Sequence, residues 1–121
     1  MQKLAAAAAF SVLLFAGVAQ ARPVVYNWTG FGSNVPGSSK CPSYKMTIDV
    51  TVDGKNVKGI FQQDGRTARS FEATLDETGG ISTAATVGGG RKMAVVGSVQ
   101  EGAAKIKLDG YCIFEGPLTK K

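Results

Sequence analysis

The chain has 121 residues, 14 Lys and Arg against 9 Asp and Glu, a formal net charge of +5, two Cys and no His. That length suits a single domain. A hydrophobic share of 44% with 19% charged residues excludes both a disordered tail and a bundle of membrane spans. Without His, the chain lacks the side chain most used for proton transfer near neutral pH and for metal ligation. No metal or cofactor is expected.

The first segment reads as an address. Lys3 is followed by an apolar run from Leu4 to Val18 broken only by Ser11 and Gly17, and Ala19-Gln20-Ala21 supplies the small-x-small pattern of a cleavage site. A signal peptide over residues 1–21, cleaved before Arg22, is expected to leave one domain over residues 22–121 in the periplasm or outside the cell. The run is shorter than the roughly 20 residues a membrane helix needs. No later stretch is longer, so no transmembrane segment is expected in the mature chain. Cys41 and Cys112 are the only cysteines, and in an oxidising compartment they are expected to pair. No CxxC spacing supports a catalytic or metal-binding thiol pair.

A first strand is expected from Val24 to Phe31, then a Ser-, Gly- and Pro-rich loop from Gly32 to Pro42. From Tyr44 to Val52, Tyr44, Met46, Ile48, Val50 and Val52 alternate with polar residues, the pattern of a strand with one buried face. Asp53-Gly54-Lys55-Asn56 is a turn, and Val57 to Gln63 returns, with Gly59 suggesting a bulge or tight bend. Phe71, Ala73 and Leu75 share the next face before a loop from Asp76 to Gly80. Ile81, Thr83, Ala85 and Val87 follow, ended by Gly88-Gly89-Gly90. Met93, Val95, Gly97 and Val99 form a strand that stops at Gln100-Glu101-Gly102. Ala104, Ile106 and Leu108 form another, with Lys105 and Lys107 on the opposite face. Asp109-Gly110 signals a two-residue hairpin into a last strand from Tyr111 to Leu118.

About eight strands with short connections and no helical periodicity define an all-β chain. The expected architecture is an antiparallel eight-stranded meander barrel with one disulfide, the alternative being a two-sheet β-sandwich. Small inward residues (Ala73, Ala85, Gly97, Ala104) would leave space inside such a barrel, and Met46, Ile48, Phe61, Leu75 and Met93 would fill it.

Candidate chemistry is sparse. Gly88-Gly89-Gly90-Arg91-Lys92 lacks the spacing and the following helix of a phosphate loop, and reads first as a hairpin tip. The carboxylates cluster at turns, and neither a His-assisted nucleophile nor a Ser-x-x-Lys motif is present, so an enzyme is not expected. Arg66, Arg69, Arg91, Lys92, Lys105 and Lys107 could merge into a cationic surface for an anionic partner, such as an envelope glycan, a lipid headgroup or an acidic protein. The bland alternative is a solvated face. Export and scarce exposed aromatics argue against nucleic acid. Tyr26 and Trp28 would plug one end of a barrel or floor a ligand pocket.

Trp28-Thr29-Gly30 through Gly32-Ser33-Asn34, then a strand and Gly59-Ile60-Phe61, resembles the opening of avidin-type eight-stranded barrels over about a third of the mature chain. The loop carrying Cys41 departs from that pattern and the later ligand-contacting tryptophans have no counterpart, so the resemblance implies a barrel without biotin binding. The layout of signal peptide, Gly-punctuated strands and one disulfide resembles small exported bacterial β-barrel proteins, and in outline the periplasmic barrel-type inhibitors of lysozyme or proteases. The expectation is an exported, monomeric, non-enzymatic binding protein acting through loops and a cationic face. Its alternatives are a carrier of a small apolar ligand and an inhibitor of an extracellular hydrolase.

Overall fold

Period-two alternation forces a strand to bury one face, and two such faces must meet. A computed structural model describes residues 22–33 and 39–121; the expected signal segment, residues 1–21, lies outside the described residues. Among the described residues nine strands follow in order: β1 (Val24–Phe31), β2 (Lys45–Asp53), β3 (Asn56–Gln63), β4 (Arg69–Thr74), β5 (Gly80–Val87), β6 (Arg91–Ser98), β7 (Lys105–Asp109), β8 (Ile113–Pro117) and β9 (Thr119–Lys120). Among the described residues no helix is long and apolar enough to cross a membrane.

The strands form two antiparallel sheets, one ordered β4-β3-β2-β1-β9 and the other β5-β6-β7-β8. The expected pairing of each strand with the next holds within each sheet, but the closed barrel does not form, and the two-sheet alternative describes the molecule. Two seams explain this. At the first, the Leu75 N–H still bonds the Lys55 carbonyl at the end of the β3–β4 pairing, and the chain then loops through Asp76 before β5 begins at Gly80. The edges of β4 and β5 therefore share no ladder. At the second, one isolated bridge, Ser33 with Ile113, joins the end of β1 to β8. Further along this seam the Trp28 indole packs against Gly30 and Gly116, where added Cβ atoms would collide with the ring. A side chain laid over two glycines joins β1 to β8 where a ladder would otherwise run. The expected last strand, Tyr111 to Leu118, is realised as β8 paired with β7, and beyond it the chain crosses to an unexpected β9, pairing Thr119 and Lys120 with Asn27 and Tyr26 of β1.

The core lies between the sheets. Ile48, Val50, Val57, Val95, Ile106 and Leu108 are wholly buried, with Phe61, Phe71 and Phe114 packed among them. Two local expectations are corrected. Gly59 makes no bulge, because the register runs unbroken through Val50–Gly59 and Gly59–Phe71. The glycine is required because the Phe71 ring occupies the space a Cβ would fill. Asp109-Gly110 makes no two-residue hairpin either. Asp109 pairs with Ile113, leaving Gly110-Tyr111-Cys112 as a three-residue connection whose Cys112 is tied to Cys41. Gly110 also lacks the positive φ that a tight Asp-Gly turn demands. The expected disulfide is present, with the two Cα atoms 5.6 Å apart.

Candidate functional site

Alternation continues to the last residue of a strand, so a polar residue two positions before a buried one still faces inward. Arg69 opens β4 two residues before buried Phe71, and Arg91 opens β6 two residues before buried Met93. Both arginines therefore stand on the inward face at the same end of the molecule, the end that also holds the disulfide. A cavity of about 510 Å³ opens there between the sheets. Its wall from the first sheet includes Tyr44, Met46, Phe61, Gln63, Arg66, Thr67 and Arg69, and from the second Val87, Gly88, Arg91, Lys92, Met93, Tyr111, Cys112 and Phe114.

Three connections set the rim. The Gln63–Arg66 turn is closed by the Arg66 N–H donating to the Gln63 carbonyl at 2.9 Å, and Gln62 Nε2 donates to the Arg66 carbonyl at 2.8 Å. Gly88–Gly90 forms a tight non-helical turn in which Gly89 and Gly90 take φ of +73° and +77°, conformations that glycine adopts without strain. A strand and not a helix follows it, so the tip has no phosphate-loop geometry. A Cβ on Gly88 would lie 3.8 Å from Arg69 Nη2, so the guanidinium reaches from the first sheet to the tip of the second. Lys92 lines the rim and donates from Nζ to Thr86 Oγ1 at 2.9 Å.

Four of the six cationic residues singled out in the sequence, Arg66, Arg69, Arg91 and Lys92, thus share one cavity, and no carboxylate lines it. The ion pairs among the described residues, Lys120 with Glu101 and Lys121 with Asp49, lie away from this wall. Uncompensated like charges around a partly apolar hollow focus the field and favour an anion there. Lys105 and Lys107 are not brought to this site. They border a separate hollow with Ile81, Val96 and Glu115, and Lys107 stands opposite Glu115 in the β7–β8 ladder.

No family model, curated protein or solved structure matches the chain. Function has to be argued from this geometry.

Tyr26 and Trp28 do not line the cavity. Tyr26 is buried in the core, and Trp28 packs on the glycines of the β1–β8 seam. None of the small residues expected to leave internal space lines this cavity, and Gly97 and Ala104 border the separate hollow beside Lys105. Ala85 is buried in the packed core, and the space lies at the end, walled by the large Met46, Phe61 and Met93. Tyr44, Gln63, Tyr111 and Phe114 were not singled out in the sequence as site residues. The signal for Gln63 is parity, since it lies two residues along β3 from buried Phe61 on the same face, and Tyr44 continues the alternation of Met46 one step before β2 begins.

Proposed function

We propose that this is an exported, non-enzymatic binding protein whose working part is the cationic end of the molecule, and that it recognises an anionic partner. One observation carries the reading: Arg66, Arg69, Arg91 and Lys92 converge on a cavity that no carboxylate lines. Loops and strand ends on a rigid sheet scaffold are the usual place for such contacts. Among the described residues the wall supplies neither a His nor a carboxylate for proton transfer, and its one cysteine, Cys112, is held in a disulfide. That disulfide supports an oxidising destination, the periplasm or the exterior.

The test is calorimetric titration of the chain beginning at Arg22 with anionic probes and their neutral counterparts over a salt series. Anion binding is expected to weaken as salt screens the mouth. It should fall about tenfold or more with Arg69→Ala or Arg91→Ala, as for a lost hydrogen bond to a charged group. Lys105→Ala with Lys107→Ala should leave it unchanged. Equal binding of neutral probes, or indifference to both arginine variants, would overturn the reading.

A further inference from the structure

The cavity is divided by chemistry along its depth. Arg69 and Arg91 are the first residues of their strands, and Arg66 lies in the preceding loop. Met93 stands two residues inside Arg91 on the same face, a step of about 7 Å along a strand. Arg66, Arg69 and Arg91 are exposed, whereas the buried part of the same wall includes Met46, Phe61, Met93 and Phe114. All four are at most 6% exposed, and none offers a hydrogen-bond donor. A charged mouth therefore sits over an apolar floor.

Those two layers suit different parts of one molecule. A sugar or polyphosphate would leave its remaining polar groups against methionine and phenylalanine, which costs free energy for every hydrogen bond not replaced. A neutral apolar ligand would cover the arginines without any counter-charge. We propose that the cavity takes a free, single-chain amphiphilic anion, with its head group at Arg66, Arg69 and Arg91 and its alkyl chain on Met46, Phe61, Met93 and Phe114. This rests on the anion-binding reading of the mouth and specifies the ligand class. The volume, about 510 Å³, lies within the roughly 300–1,000 Å³ typical of small-molecule sites. Two methionines in the floor can repack around chains of different length.

Titration with octanoate, decanoate and dodecanoate, each kept monomeric, tests the proposal. Each two-carbon step should tighten binding by about tenfold until the floor is covered. Acetate and sulfate, which carry charge without a chain, should bind far more weakly than dodecanoate. Gln63→Phe, at the half-buried mouth beside Met46, should abolish the chain-length dependence while the melting temperature stays near that of the parent. Affinity for anions that does not change with chain length would overturn the amphiphile and leave the anionic mouth standing. Dodecanol binding as tightly as dodecanoate would overturn the anionic mouth itself. Association with phosphatidylglycerol vesicles but not with monomeric dodecanoate would overturn the free ligand.

Discussion

Replacing both cysteines by Ala (Cys41→Ala with Cys112→Ala) removes the disulfide that cross-links the connections of the two sheets. The bridge spans 71 positions, and both cysteines are almost wholly buried. Closing a loop of that size restricts the unfolded chain by about 4 kcal/mol in the chain-entropy treatment. A domain of this size holds only about 5–15 kcal/mol in total, so the loss is a large share of it. At about 4–8 °C per kcal/mol for a small domain, the melting temperature should fall by roughly 15–30 °C. Differential scanning calorimetry of the double variant and of the reduced parent separates the link from the packing of the sulfurs. Both should melt early, the double variant slightly earlier because Ala leaves small voids. The urea m-value should rise as well, since an unbridged unfolded chain exposes more surface. Cys112 also lines the cavity, and the bridge holds the Tyr111 connection against the segment before β2. The double variant should therefore lose ligand affinity even well below its melting temperature. A fall of less than about 5 °C in both samples would refute the view that the sheets depend on this link.

Three further perturbations probe the seams and the mouth. Arg69→Ala or Arg91→Ala should leave the melting temperature unchanged or slightly raised, because four like charges repel around a cavity whose described lining holds no carboxylate; a marked fall would show the arginines to be structural. Gly59→Ala places a methyl into the Phe71 ring and should cost about 1–3 kcal/mol by urea unfolding, with Phe71→Leu recovering part of it in a double-mutant cycle. Asp76 Oδ1 accepts hydrogen bonds from the Gly80 N–H, the Thr78 hydroxyl and the Thr78 N–H, each at 2.8 Å. The Gly80 amide first, then the two Thr78 donors, holds the carboxyl below its ordinary value of 3.8. A lowered folded value stabilises the fold above the unfolded pKa, and that contribution disappears as pH falls through the folded one. Asp76→Asn should therefore cost most near neutrality, with the gap in urea midpoint from the parent closing in acid. A gap that widens on acidification would contradict this.

Much of the strand layout was legible because alternation is a local property. Val24–Phe31 matches its expected bounds, and β2 and β3 lie within a residue of theirs. The cysteine pair was legible for a chemical reason, an even count in a chain that begins like an export signal. Arg69 and Arg91 could be read as cationic candidates, and even as inward-facing by counting two residues back from Phe71 and Met93. Their convergence could not be read that way, since they belong to different sheets and meet across a seam. Lys105 and Lys107 illustrate the opposite error. They follow Arg91 and Lys92 closely in the chain, yet antiparallel pairing of Lys105 with Ser98 places them toward the far end of β6.

The amino-acid sequence by itself determined the all-β character, the faces of the strands, most of the turns and the disulfide partners. Each of these follows from contacts between near neighbours or from the lack of any alternative partner. Tertiary structure alone decided that the ladder breaks into two sheets, that Trp28 packs on Gly30 and Gly116 at one seam, and that four cations surround one apolar hollow. Those outcomes depend on how two twisted sheets meet and on which side chains lie across their edges, and periodicity along a single strand carries no information about that meeting.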